Sequence, residues 1–149
     1  MIKKRANDWI VKLRQKNEND IMKWNAVIFG PDGSLYESGI FKLVMIFCRE
    51  YPHKPPQIKF LSRIFHPNVS PDGTVCPKIL LRNWSPAKTV ALIIKSLIFL
   101  LDNPCLDDET NYNPKATDLF QTNKLHYKKF VNDCVDESLD DDDTNNEGF

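Results

Sequence analysis

The chain has 149 residues, 42% of them hydrophobic, with 20 Lys/Arg balanced by 20 Asp/Glu; this bounds it to one globular domain with a usable apolar core. Its longest apolar run, VALIIKSLIFLL at 90–101, is broken by Lys95 and Ser96 and is too short for a membrane span, and residues 1–25 lack the apolar stretch of a secretory signal. Neither membrane insertion nor export is expected, so the chain reads as cytoplasmic, nuclear or both.

Zero net charge hides a polarity: residues 1–99 hold 16 Lys/Arg against 7 Asp/Glu, and residues 100–149 hold 4 against 13. No basic cluster interleaves with aromatics as a stacking platform would, so the expectation is an acidic protein partner and no nucleic acid.

In chain order, MIKKRAND suggests a short basic helix. WIVKLRQK (9–16) alternates as a strand does, although a helix through Ile2, Ala6, Trp9 and Leu13 matches nearly as well. MKWNAVIFG (22–30), ended by Pro31-Asp32-Gly33, IFKLVMIF (40–47) and QIKFLS (57–62) read as strands of an antiparallel meander. YPHKPP (51–56) between them is expected to be extended, because its prolines oppose helix.

Past Cys76 the periodicity changes. AKTVALIIKSLIFLLD (87–102) has helical length, with Pro86 at its start and Ser85 as the cap, and a second helix is expected from about Asn123 to Val135. Strands first and helices afterwards indicate an α+β sandwich. The core is placed at 1–137; residues 138–149 form an acidic tail, ending DDDDTNNEGF, that is expected to stay disordered.

The cysteines at 48, 76, 105 and 134 show no paired spacing and no companion histidines at ligand offsets, so free thiols and no metal are expected. Asn68-Val69-Ser70 fits a glycosylation pattern that is without meaning in the cytosol. Cys76 stands apart from the others. It follows HPNVSPDGTV (66–75), a run of turn formers that is expected to present an accessible thiol on a rigid loop. His66 and His126 are the plausible bases for cysteine chemistry. Cys76 to Arg82 also matches the C-x5-R spacing of the tyrosine-phosphatase loop, but Ile79, Leu80 and Leu81 are the wrong residues for an anion nest.

The arrangement resembles the ubiquitin-conjugating enzymes. These carry His-Pro-Asn, a catalytic cysteine eight residues after the asparagine, and Trp-x-Pro-Ala eight residues beyond; here stand His66-Pro67-Asn68, Cys76 and Trp84-Ser85-Pro86-Ala87. GPDGSLYESGIF and YPHKPPQIKF are similar to the family's Tyr-x-x-Gly and Tyr-Pro-x-x-Pro-Pro stretches, and the likeness covers roughly residues 20 to 135.

The resemblance implies the family's fold: a four-stranded antiparallel meander on a central helix, C-terminal helices, and here a shortened first helix. It implies that Cys76 accepts ubiquitin or a ubiquitin-like modifier as a thioester, in an ATP-dependent pathway, from an activating enzyme. The acyl group then passes to a protein substrate lysine, usually with a ligase and without a cofactor. By position, Asn68 stabilises the oxyanion or orders the nearby loop, and Asp108 orients or deprotonates the incoming lysine. His66, Pro67 and Trp84 are structural near the site. Lys3, Lys4, Arg5, His53, Pro86 and Ala87 fall on the partner-binding surface, and Cys48, Cys105 and Cys134 are packing or incidental.

Departures from the pattern leave alternatives open. Pro77-Lys78 replaces the common Leu-Asp, and His53 stands where many members have Phe. SUMO-type or Nedd-type conjugation, a catalytically weak ubiquitin-binding variant of the fold, and an unrelated cysteine hydrolase are the competing readings.

Overall fold

The computed structural model describes the backbone of residues 10–17 and 20–144 and the side chains of residues 23–140. Lys3, Lys4, Arg5 and the expected first helix lie outside the described residues.

Four strands, β1 (Ile10–Asn17), β2 (Asp20–Phe29), β3 (Ile40–Ile46) and β4 (Gln57–Phe60), pair in the order β1-β2-β3-β4, every neighbour antiparallel. This is the expected meander, and the strand reading of 9–16 holds over the helical one. Alternation decides which face is covered: Phe41, Leu43 and Met45 of β3 and Ile58 and Phe60 of β4 are buried. Ile93, Ile94, Leu97, Ile98 and Leu101 of the long apolar helix join the same core, as do Tyr127, Val131 and Cys134 of the last helix. β4 stops sooner than expected. The N–H groups of Leu61 and Ser62 both turn to Lys42 O, which takes the chain out of the ladder.

Helices α1 (Pro77–Arg82), α2 (Val90–Asp102), α3 (Pro114–Thr122) and α4 (Lys124–Thr144) follow, with a 3-10 turn at Asp108–Thr110. α2 starts later than the Ser85-Pro86 signal suggests. Thr89 is its cap, Oγ1 accepting from Leu92 N at 3.2 Å, while Ser85 closes a separate turn by accepting from Lys88 N. YPHKPP turns over residues 51–54 rather than running extended throughout, with Lys54 N bonded to Glu50 O at 3.0 Å. α4 carries helix through Thr144, so the expected boundary at 137/138 falls inside it. Ser138 is buried there, and its hydroxyl both donates to Val135 O and accepts from Ile40 N at the start of β3. That anchor is what the acidic composition conceals.

Candidate active site

The turn ahead of Cys76 is built by its small residues. Gly73 has φ +96, and a Cβ there would lie 2.1 Å from Phe60 O, so only glycine lets this turn lie against β4. The Asp72 carboxylate accepts from the Ser70 hydroxyl and from Thr74 N, and these bonds, that to Ser70 foremost, hold it down to about 2. Phe60 N to Gly73 O (2.8 Å) and Val75 N to Ile58 O (3.0 Å) then fasten the turn along β4, and Cys76 N donates to Asn68 O at 2.9 Å. Cys76 is thus fixed by its backbone, at the N-cap of α1 with Pro77 in the first turn.

His66 is buried and spans two elements. Its Nδ1 accepts from Asn68 N at 3.0 Å, which leaves Nε2 protonated to donate to Leu100 O of α2 at 2.8 Å. Burial pushes its imidazole down to about 4, against the opposing pull of the Leu100 carbonyl. The unfolded chain therefore binds a proton near pH 6.5 that the folded chain refuses until about pH 4. Stability from this group is complete above pH 6.5 and falls through that window, by roughly 3 kcal/mol in all. Urea unfolding across that range should show the loss, and His66→Gln should flatten the slope while lowering stability at pH 7.5. The Pro67 carbonyl accepts from Tyr112 N (3.0 Å) and Asn113 N (3.1 Å).

Asn68 is fully buried, and its amide is completely engaged. Nδ2 donates to Cys105 O (2.7 Å) and Thr110 O (2.9 Å), and Oδ1 accepts from Cys105 N at 2.8 Å. One side chain thereby holds the 105–110 loop against the segment whose backbone bonds Cys76.

Cys76 itself is 0% exposed, which corrects the expectation of an accessible thiol. It does not belong to the main apolar core, unlike Cys134. α1, which starts just after Cys76, meets the 105–110 loop that Asn68 holds, and the sequence shows the stiff turn but not this long-range contact.

That contact is made by charges. Arg82 Nη1 donates to Asp107 Oδ2 (2.7 Å) and to Cys105 Sγ (3.0 Å), and the Cys105 thiol donates to the same carboxylate oxygen. Lys78 Nζ lies 3.6 Å from Glu109 Oε2. The Arg82 guanidinium beside Asp107 holds its carboxyl well below the usual range, helped by the Cys105 and Thr110 bonds. These partners went unread as a group; the only signal was Lys78 and Arg82, four apart on α1, against an acidic 107–109. The arrangement disposes of the phosphatase loop, because residues 77–82 are helical and both Arg82 and Cys76 N are committed elsewhere.

Of the two adjacent acids, Asp107 caps the 3-10 turn, accepting from Thr110 N and Oγ1. Asp108 is exposed and makes no ion pair or hydrogen bond among the described residues. His126 lies on α4, exposed, its ring tilted against that of Phe130 at 5.5 Å between centroids. Trp84 Nε1 donates to Pro52 O at 2.9 Å and its ring lies 6.1 Å from that of Tyr51, drawing the 51–56 and 84–87 loops together with His53, Pro86 and Ala87 exposed on them. Among the described residues, no His/Cys/Asp/Glu group is arranged to hold a metal ion, no helix is long and apolar enough to cross a membrane, and all four cysteines are free.

A family model described as ubiquitin-conjugating enzyme matches residues 2–135. The chain is 45% identical over 121 residues to "Ubiquitin-conjugating enzyme E2 1" of Caenorhabditis elegans, covering 81% of this chain but only 62% of that relative. It is 43% identical to "Ubiquitin-conjugating enzyme E2 3" of Arabidopsis thaliana, covering 81% of this chain and 79% of the relative. Among solved structures, it is similar to the H. polymorpha ubiquitin conjugating enzyme Pex4p in complex with the soluble domain of Pex22p, at a TM-score of 0.79 and 29% identity, covering 91% of this chain and 88% of that one.

Proposed function

The chain belongs to the ubiquitin-conjugating enzyme family, and from that premise we propose that Cys76 accepts ubiquitin from an activating enzyme and delivers it to a substrate lysine. In the first step the Cys76 thiolate attacks the thioester carbonyl on the activating enzyme. A new C–S bond forms, the old one breaks, and the departing thiolate takes up a proton. This exchange is nearly balanced in energy, so it asks for proximity more than for a strong base. That fits a site in which His66 is neutral and committed at both ring nitrogens, to Asn68 N in its own loop and to Leu100 O of α2.

In the second step a neutral lysine amine attacks the Cys76 thioester. An amide C–N bond forms, the C–S bond breaks, and the amine gives up a proton. Exposed Asp108, on the loop that Asn68 holds, is the carboxylate proposed to orient that amine or take its proton. Asn68 is proposed to act by bracing this loop, since both of its N–H groups already serve loop carbonyls. The exposed His53, Pro86 and Ala87 are proposed to meet a ligase, and four free thiols favour a reducing compartment, the cytoplasm or nucleus.

The observation that carries this reading is the backbone-pinned Cys76 at the family's spacing from Asn68 and Trp84. Its complete burial favours a second reading, a weak variant that binds the modifier without carrying it. Incubation with activating enzyme, ATP and ubiquitin, or the SUMO-type or Nedd-type modifier, separates them on gels run with and without reductant. A reductant-sensitive adduct, strongest with ubiquitin, is expected. No adduct with any modifier selects the binding variant, and release of a small product selects a hydrolase.

A further inference from the structure

We propose that Lys78 and Arg82 are positioning residues, forming with Glu109 and Asp107 a two-bond electrostatic clasp that shuts α1 against the 105–110 loop and must open to admit an acyl donor to Cys76. The proposal rests on the thioester reading, because only a thiol that must be reached makes its closure consequential.

The geometry separates a hinge from a latch. Asn68 holds the loop at Cys105 and Thr110 with three bonds to backbone, from a site with no exposure. Between those two points the loop meets α1 through charged side chains, Arg82 also donating to Cys105 Sγ at one end. Lys78 and Arg82 are four apart and face the same way, one to Glu109 and the other to Asp107. No residue of α1 is fully buried, although Ile79 and Leu80 pack partly on the core. The side chains of both pairs are between 41% and 69% exposed. Such pairs are weak singly and are screened by salt. A latch of this kind opens readily while the hinge stays made, which is how a segment of low local stability behaves.

Site-resolved alkylation of the full chain by iodoacetamide, read by mass spectrometry, tests this. Cys134, buried in the core, reports global opening, and exposed Cys48 reports the intrinsic reagent rate. Raising salt to about 0.5 M, or introducing Lys78→Glu, should speed Cys76 labelling about fivefold with Cys134 unchanged. The charge swap Lys78→Glu with Glu109→Lys should restore slow labelling, and initial charging rates should follow the same order. Labelling of Cys76 that is indifferent to both salt and Lys78→Glu overturns the proposal. So does a swap that fails to restore protection, or Cys76 and Cys134 accelerating together. Clasp-dependent labelling in a protein that charges with no modifier supports the clasp and removes the thioester reading.

Discussion

With Cys76→Ser, no reductant-sensitive adduct is expected, and charging should fall at least about a thousandfold, to a trace of reductant-resistant ester or nothing. A hydroxyl at this position is hardly ionised near neutrality, whereas a thiol supplies some thiolate and is intrinsically the stronger nucleophile. The fold should survive. The substitution barely changes volume, and the backbone bonds that pin this residue, Cys76 N to Asn68 O and Ile79 N to Cys76 O, do not involve its side chain. Loss of the adduct at unchanged melting temperature therefore reads the chemistry alone. An unchanged labile adduct in this variant would move the acyl site to another cysteine.

Asn68→Ala is expected to have the largest effect on stability. It deletes three hydrogen bonds at once, leaving Cys105 N–H and the Thr110 carbonyl without their Asn68 partner and the Cys105 carbonyl with only the long bond from Thr110 Oγ1. Unmade buried bonds of this sort cost about 3 kcal/mol together, or roughly 10 °C in Tm for a domain of this size. Because the same side chain is the hinge of the 105–110 loop, Cys76 should also become readily alkylated, and discharge to free lysine should fall as the loop that carries Asp108 loses its anchor. An Asn68 that served the oxyanion alone would give a different pattern: Tm preserved, discharge reduced about a hundredfold or more. The engaged amide predicts the first pattern.

Sheet order and the long helices were legible because β2, β3 and β4 are short runs of β-branched and aromatic residues bounded by turn signals, and the apolar run of α2 is long. What escaped the sequence was either short or long-range. α1 carries a proper helix signal, Pro77 at its first turn and Arg82 at its last, but six residues between a cysteine and a tryptophan offer no periodicity to read. α3 announces itself only through Asn113-Pro114, with Asn113 Oδ1 accepting from Ala116 N. The turn formers before Cys76 revealed a stiff loop and said nothing of the ion pairs that join α1 to residues 107–109, some thirty positions on. The acidic tail misled for a similar reason: Ser138 reaches across the fold to Ile40, and composition does not show that partner.

The central claim is that the acyl group rides on Cys76, although the half-buried Cys105 lies in the same site with an arginine on its sulfur. Charging the wild-type chain, blocking free thiols, releasing the acyl load with reductant and mapping the newly freed cysteine decides between them. Release at Cys76 alone is expected. A load mapped to Cys105, or to no cysteine at all, contradicts it.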